Sequence, residues 1–181
     1  MDLNYKIIDE NLEDLDKLAQ IIDEAFPDLD KNSISLFVDL QKNGDGYSYA
    51  CYNDNMLIGF VAFLAFDNYV YLYRYAMDVN LRGQGYGSKV LQNIMYELEK
   101  DNPERLIYLD LEYPDTKAKN NDQRKSRIKF YERLGFELTN IVFNFHKDKY
   151  TYMVYKNNLT NQDLKNIEKF MIPLAEKYLG R

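Results

Sequence analysis

The sequence predicts a mixed α/β (α+β) fold in which helices flank a central, mostly antiparallel sheet of about seven strands. Three strand-like runs between residues 47 and 79 are separated only by short Asn/Asp turn signals, which is typical of an antiparallel meander. Apolar residues recur at helical spacing both before and after this meander. The chain has too few strand–helix–strand units for a doubly wound nucleotide-binding fold.

The first half of the chain is predicted to follow the order β-α-α-β-β-β. The turn signals within the meander are Asn53–Asn55 and Asp67–Asn68. Apolar periodicity after the capping residues Asn11 and Ser33 predicts the two helices. The predicted elements are a strand at 4–8, a helix from the cap at Asn11 to Pro27, a short helix capped by Ser33 and carrying residues 34–40, a turn at 43–46, and strands at 47–52, 56–66 and 69–79.

The second half is predicted to follow the order α-β-α-β-β, with a helical tail. Gly135 is expected to be a left-handed residue at the end of a helix. The predicted elements are a helix ending before Pro103, a strand at 106–112, a polar loop at 113–123, a helix at 124–134, hairpin strands at 136–145 and 150–155, and a last helix that starts near Thr160 and is interrupted by Pro173.

Composition and charge limit the classes of protein that this chain can represent. Its 181 residues, 46% of them hydrophobic, suit one globular domain. The net charge of −6 argues against a nucleic-acid partner, and no apolar run approaches the 18 residues of a membrane span. Cys51 is the only cysteine and the N-terminus lacks a signal-peptide pattern, so the expected compartment is the cytoplasm. No Cys/His spacing predicts a metal site.

Three of the eight glycines lie within the stretch VNLRGQGYGSKVLQ, at Gly83, Gly85 and Gly87. A strand, a glycine-rich turn and a helix start together form an anion site, because glycine lets backbone N–H groups approach a ligand and the helix N-terminus adds positive potential. The spacing does not match a P-loop, since Ser88 and Lys89 stand in reversed order. It does not match the dinucleotide fingerprint either, because Ser88 occupies the third glycine position.

The pattern that does match is Arg/Gln-x-x-Gly-x-Gly/Ala, read here from Arg82 to Gly87, and with it the sequence resembles the GNAT superfamily of acyl-CoA-dependent N-acetyltransferases. The stretch RIKFYERLGFEL, residues 127–138, is similar to the second signature of that family. The resemblance covers roughly residues 4–156. It implies an N-acetyltransferase domain at 1–156 with a central antiparallel sheet of the GNAT type. The tail at 157–181 lies outside the resemblance and is expected to be a C-terminal helical extension of the same domain.

The resemblance implies a reaction and a cosubstrate. An acetyl group would pass from acetyl-CoA to a primary amine by direct attack of the amine on the thioester. The glycine turn would wrap the pyrophosphate of coenzyme A, and backbone groups at the end of the preceding strand would hold the acetyl carbonyl and the pantetheine arm. The cofactor-binding residues implied are Ala76, Met77, Arg82, Gly83, Gln84, Gly85, Tyr86, Gly87 and Ser88.

The resemblance also implies candidates for acid and base. Tyr131 corresponds to the family tyrosine that faces the cofactor sulfur, and a phenol can protonate a leaving thiolate. Tyr131 could instead pack on the apolar face of its helix. Glu112 is the candidate base, because alternation places Tyr108, Asp110 and Glu112 on one face of a strand that ends at the cleft in the resembling fold. Asp110 and a water relay remain alternatives.

The second signature departs from its usual form at two positions. The family commonly has Asn-x-x-Ala where this chain has Arg124 and Arg127. We therefore expect Arg124, which lies in a basic segment of an acidic protein, to contact a phosphate of coenzyme A. The alternative is that this segment is a solvated helix face.

The acceptor is described by its chemistry alone: a small-molecule amine or an exposed protein amine. Alternation predicts one face with Tyr69, Tyr71, Tyr73 and Tyr75, which could line an acceptor pocket or support a helix. Asp28, Asp30 and Asp39 could attract an ammonium group or could be surface charge. His146 and Cys51 are expected to be structural. The last helix could pack on the domain or on a second subunit of a homodimer. The rival interpretations are a non-catalytic coenzyme A-binding module and, more remotely, a nicotinamide-dependent oxidoreductase.

Overall fold

The computed structural model describes residues 1–26, 33–145 and 147–179. These residues form two compact units, Met1–Pro103 and Glu104–Arg181. The elements are β1 Leu3–Ile7, α1 Leu15–Ala25, α2 Ser33–Lys42, β2 Gly46–Asn53, β3 Met56–Phe66, β4 Tyr69–Met77, α3 Tyr86–Asp101, β5 Leu106–Glu112, α4 Asn121–Glu132, β6 Phe136–Phe145, β7 Asp148–Tyr155 and α5 Asn161–Leu179.

The first unit is built on the ladder β1-β2-β3-β4, in which every neighbouring pair is antiparallel. Strand β3 is buried over most of its length, because both of its faces are covered. Phe60 of β3 packs against Phe37 of α2 at 5.4 Å and against Phe26, just after α1, at 6.2 Å between ring centroids. Helices α1 and α2 therefore lie on the Phe60 face of the sheet, which we call the α1 face.

A β-bulge in β4 changes which side chains share a face. Arg74 pairs with Ala62 and Leu72 with Phe63, so Tyr73 is an extra residue without an opposite partner. The prediction that the four alternate tyrosines of β4 share one face is therefore wrong. Residues directly opposite in a ladder point to the same face. Hence Tyr69, Tyr71 and Arg74 lie on the α1 face, whereas Tyr75 points the other way, and its hydroxyl donates a hydrogen bond to the carbonyl of Gly87 in α3.

The second unit has the strand order β5-β7-β6, again antiparallel throughout. The β5–β7 ladder runs without a bulge, so the alternation predicted for Tyr108, Asp110 and Glu112 holds and these residues share a face. Gly135 follows α4 with φ +91, the left-handed conformation expected for it.

Two element boundaries differ from the sequence predictions at places where a side-chain carboxylate accepts a hydrogen bond from a backbone N–H group. Helix α1 begins at Leu15 because the Asp9 carboxylate accepts the N–H of Asn11 and holds a separate turn there. Strand β4 ends at Met77 because the Asp78 carboxylate accepts the N–H of Asn80 and starts a 3-10 turn. Pro27, the predicted stop of α1, lies outside the described residues.

Two helices are longer than the sequence indicated. Helix α4 begins at Asn121, and its first turn, Asn-Asp-Gln, has no apolar residue through which periodicity could reveal it. Helix α5 continues through Pro173 to Leu179. Proline removes one backbone donor, but Pro173 and Lys169, whose carbonyl loses that donor, are both exposed to solvent. Among the described residues, no helix combines the length and the apolar character that crossing a bilayer requires.

Candidate functional site

The glycine turn has the backbone geometry of an anion-binding loop. Gly83 and Gly85 adopt φ +77 and +84, in the left-handed region that disfavours side chains. Gly85 is also the N-cap of α3, and the first helical bond runs from the N–H of Lys89 to its carbonyl. The turn therefore delivers its backbone directly to a helix N-terminus, where the positive end of the helix dipole favours an anion.

The N–H groups of this turn are available to a ligand. Within the described parts of the chain, no residue accepts a hydrogen bond from the backbone N–H groups of Gly83 to Ser88. Residues 82–85 are exposed, and 86–88 are half-buried. An ideal Cβ at Gly83 or Gly85 would meet no atom within 4 Å, so open space lies beside the backbone. Such an arrangement suits a phosphate group.

Contacts that sequence reasoning missed hold this turn in place. Asp78, which is buried, accepts hydrogen bonds from the N–H and the side-chain amide of Asn80, both at 2.9 Å. The ammonium of Lys17 on α1 lies 2.7 Å from the other Asp78 oxygen and, together with these hydrogen bonds, lowers the pKa of that carboxyl below its ordinary value. At the other end of the turn, the hydroxyl of Tyr75 donates a 2.7 Å hydrogen bond to the carbonyl of Gly87. Only the Asx-type turn at Asp78–Asn80 has a local sequence signal.

The end of β4 presents backbone groups on the side away from β3. The carbonyl of Ala76 and the N–H of Asp78 both point toward β3, where the latter donates to Ile58. Because neighbouring residues of a strand alternate, the N–H and carbonyl of Met77 point in the opposite direction. Gly59 permits this close approach, since a Cβ there would lie 2.4 Å from the Ala76 oxygen. Sequence reasoning did not identify Gly59.

In the second unit, Glu112 is surrounded by cationic groups. The side chain is 18% exposed. Arg124 Nη2 lies 3.1 Å from its Oε1, and Arg127 forms an ion pair with its Oε2. Asn120 also donates to Oε1 at 3.3 Å. Both carboxylate oxygens are therefore engaged.

Arg124 is buried, with 5% of its side chain exposed. All three of its guanidinium nitrogens have acceptors: Nε donates to Asn120 Oδ1, Nη1 to the carbonyl of Tyr113, and Nη2 to Asp148 Oδ1 at 2.8 Å. The hydrogen bond to Asp148 raises the pKa of Arg124 above its ordinary value. The contact with a coenzyme A phosphate stays a prediction, and in this arrangement the guanidinium has no free nitrogen to offer.

Tyr131 is half-buried near the end of α4. Its ring packs edge-on against Phe130 at 5.1 Å and Phe136 at 5.5 Å. Burial raises the pKa of its phenol to about 12; Arg127 opposes this shift and Asp110 adds to it. The structure thus brings Tyr131 near Asp110, and it also contains the apolar packing that was the alternative role for this residue.

The remaining predicted residues lie in different environments. Cys51 is fully buried in β2, and burial raises the pKa of its thiol, as expected for an inert cysteine. Asp39 is exposed on α2. Asp28, Asp30 and His146 lie outside the described residues.

The sequence matches the sequence model of a known protein family. That family is described as the Acetyltransferase (GNAT) family, and the match covers residues 12–136. This range contains the whole glycine turn and the second signature stretch as far as Phe136. No curated protein matches the sequence.

Solved structures share the fold at low sequence identity. A protein from Bacteroides thetaiotaomicron assigned to the GNAT family is 22% identical, with a TM-score of 0.75 over 97% of this chain and 98% of the other. An aminoglycoside 6'-N-acetyltransferase complexed with coenzyme A is 17% identical, with a TM-score of 0.64 over 83% and 95%. The ribosomal-protein-S18-alanine N-acetyltransferase from Escherichia coli is 18% identical, with a TM-score of 0.62 over 89% and 97%. The predicted mixed α/β fold class is confirmed.

Proposed function

Because this chain belongs to the GNAT acetyltransferase family, we propose that it transfers an acetyl group from acetyl-CoA to a primary amine by direct attack on the thioester. The observation that carries the proposal is the turn Gly83–Ser88 at the N-terminus of α3, whose backbone N–H groups have no acceptor among the described residues. A diphosphate would supply the acceptors that these donors lack.

The turn and the end of β4 would bind and orient the cosubstrate. In this proposal the N–H groups of Gly83, Gln84, Gly85, Tyr86, Gly87 and Ser88 bind the pyrophosphate of coenzyme A. The exposed side chain of Arg82 adds a charge-assisted contact. The backbone groups of Met77 that point away from β3 would bind the pantetheine arm and the acetyl carbonyl, with Ala76 positioning them. Fixed donors of this kind stabilise the charge that develops on the carbonyl oxygen.

Tyr131 is proposed to protonate the leaving group. When the amine nitrogen bonds to the carbonyl carbon, the carbon–sulfur bond breaks and the sulfur takes the phenol proton. A phenol with a pKa of about 12 stays protonated at neutral pH, so the proton is present when it is needed. The same burial makes the phenol a weaker acid. Donation therefore requires that exclusion of water also makes the thiolate more basic.

Glu112 is proposed as the base that accepts the amine proton, with Asp110 or a water relay as alternatives. Both side chains lie on one face of β5. Oε1 of Glu112 is engaged by Arg124 and Asn120, whereas among the described residues Oε2 is engaged by Arg127 alone, so Oε2 is the oxygen with a lone pair left for a proton. Asp110 is the residue whose charge acts on Tyr131, which makes it the second choice.

The acceptor is proposed to be a small-molecule amine or a protein amine. The solved structures named above include both kinds of enzyme, one for an aminoglycoside and one for a ribosomal protein. We further propose a cytoplasmic location, which suits a chain with a single buried cysteine. The N-acetyltransferase domain at 1–156, its C-terminal extension at 157–181 and a homodimer stay predictions.

The test is consumption of acetyl-CoA across a panel of amines, measured on the parent enzyme and on Glu112→Gln. We expect turnover with at least one amine in the parent, and a lower kcat in the variant if Glu112 takes part in proton transfer. Stabilisation by coenzyme A in a thermal shift without turnover of any amine would favour a non-catalytic binding module instead. Stabilisation by NAD but not by coenzyme A would contradict the proposal.

A further inference from the structure

Arg74 is a cation held among aromatic rings on the α1 face of the first unit. Its guanidinium carbon lies 4.2 Å from the ring centroid of Tyr73 and 5.4 Å from that of Phe26. Nη1 donates a 2.8 Å hydrogen bond to the carbonyl of Tyr73. The bulge at Tyr73 creates this arrangement, because it turns Arg74 toward the end of α1.

The hydrogen-bonding capacity of Arg74 is not used up by the described residues. Its Nε is buried and has no acceptor among them. Nη2 makes no hydrogen bond to a described residue, and no described carboxylate forms an ion pair with this side chain. A guanidinium has five donors in a planar fork that matches a carboxylate. An enclosed donor without an acceptor is unfavourable, so an anionic group is the partner that would complete this site.

We infer that Arg74 binds a carboxylate of the acceptor, so that the substrate is an amine that also carries an acid group. This inference rests on the proposed acetyl transfer and specifies its substrate class. The edge of the guanidinium formed by Nε and Nη2 would donate one hydrogen bond to each carboxylate oxygen. The rings of Phe26 and Tyr73 hold the plane of the fork and exclude water from it.

The position of Arg74 suits an acceptor of modest length. Arg74 and Ala76 lie on the same face of β4, and two residues of a strand span about 7 Å. With the acetyl group held at Ala76 and Met77, the attacking nitrogen and the carboxylate of one substrate reach both places at once. An amino carboxylate whose amine and acid groups are a few carbon atoms apart would suit this spacing.

The test uses matched pairs of amines. Each amino acid of the unbranched series from glycine to 6-aminohexanoate is compared with its carboxamide in the acetyl-CoA assay. We expect one or two acids of the series to exceed their carboxamides by about tenfold to hundredfold in kcat/KM, the range expected for hydrogen bonds to a charged group. Arg74→Gln should raise the KM of those acids to that of the carboxamides and leave the carboxamides unchanged. Arg74→Lys should restore part of the difference.

Two controls separate this effect from general damage. Lys6→Gln removes another cation that lies over an aromatic ring, 4.7 Å from the centroid of Tyr52, and should leave the acid preference intact. The affinity of Arg74→Gln for coenzyme A, measured by calorimetry, should equal that of the parent. Equal turnover of acids and carboxamides, or an acid KM that Arg74→Gln does not change, would overturn the inference and leave the acetyl transfer standing.

A binding readout keeps the inference testable without turnover. The side-chain N–H resonance of Arg74 Nε is followed by NMR while the same acids and carboxamides are added to the protein. A shift that saturates with an acid but not with its carboxamide supports the carboxylate site even if no acetyl transfer is found. No shift with any acid refutes the site.

Discussion

Arg124 of α4 and Glu112 of β5 form an ion pair in which Nη2 lies 3.1 Å from Oε1. The family resemblance predicts two separate roles for these residues, a phosphate contact for Arg124 and a catalytic base for Glu112. Their contact links the roles, because the guanidinium that is predicted to meet coenzyme A also contacts the candidate base. Asp148 completes the arrangement from β7, 2.8 Å from the same nitrogen.

Replacement of Arg124 should affect stability more than cofactor binding. Arg124→Gln leaves Asp148 without its cation and leaves Glu112 paired with Arg127 alone. Breaking a fully buried ion pair costs about 3–5 kcal/mol, and we expect a smaller loss here because Arg127 remains and Asp148 is partly exposed. We expect urea unfolding to show a lower free energy of unfolding, and calorimetry to show nearly unchanged affinity for coenzyme A. Lys125→Gln, at the exposed neighbouring position, is the matched control. Loss of coenzyme A affinity at unchanged stability would instead support the phosphate contact.

Tyr131→Phe should lower kcat by about 10²–10⁴-fold, the usual contribution of a general acid, with little change in the affinity for coenzyme A. Because the pKa of Tyr131 is raised to about 12, its acid form persists across the accessible range. The pH profile of the parent should therefore show no loss of activity from this group up to about pH 10. The exposed Tyr96→Phe serves as the control. Full turnover by Tyr131→Phe would assign Tyr131 to packing alone.

Gly85→Ala should weaken coenzyme A binding beyond its effect on the fold. A side chain at φ +84 costs about 1–2 kcal/mol of strain, and the new methyl group would occupy the open space where the pyrophosphate is proposed to lie. Gly44 offers a matched control, because it has φ +73 and equally open surroundings in a turn between α2 and β2. Gly44→Ala should lose similar stability but retain coenzyme A affinity. Equal affinities in the two variants would argue against the pyrophosphate site.

The Lys17–Asp78 pair should make stability depend on pH at the acidic end. The pKa of Asp78 is lowered in the folded state, so its stabilising contribution is present above the ordinary value of 3.8 and is lost as pH falls through the folded value. We expect Asp78→Asn to be less stable than the parent near pH 7, with the difference shrinking below about pH 4. Unfolding by urea at several pH values measures this difference. Asp39→Asn, exposed on α2, should show no such trend.

The part of the site that depends on local backbone conformation was readable from the sequence. Left-handed glycines at 83 and 85 and a helix start at Tyr86 involve residues that are adjacent in the chain, so their types and spacing indicate the turn directly. The alternation of side chains along β5 was also predictable, because it too involves residues that are adjacent in the chain and no bulge interrupts it.

The tertiary structure decided which side chains meet. Lys17 reaches Asp78, and Arg124 reaches Glu112 and Asp148, only after folding, and no spacing in the sequence relates these residues. A single bulge at Tyr73 turned Arg74 toward the aromatic rings near α1 and divided the row of tyrosines between two faces. Backbone conformation is determined by neighbours in the chain, whereas side-chain partners depend on strand register and packing, which residues distant in the sequence determine together.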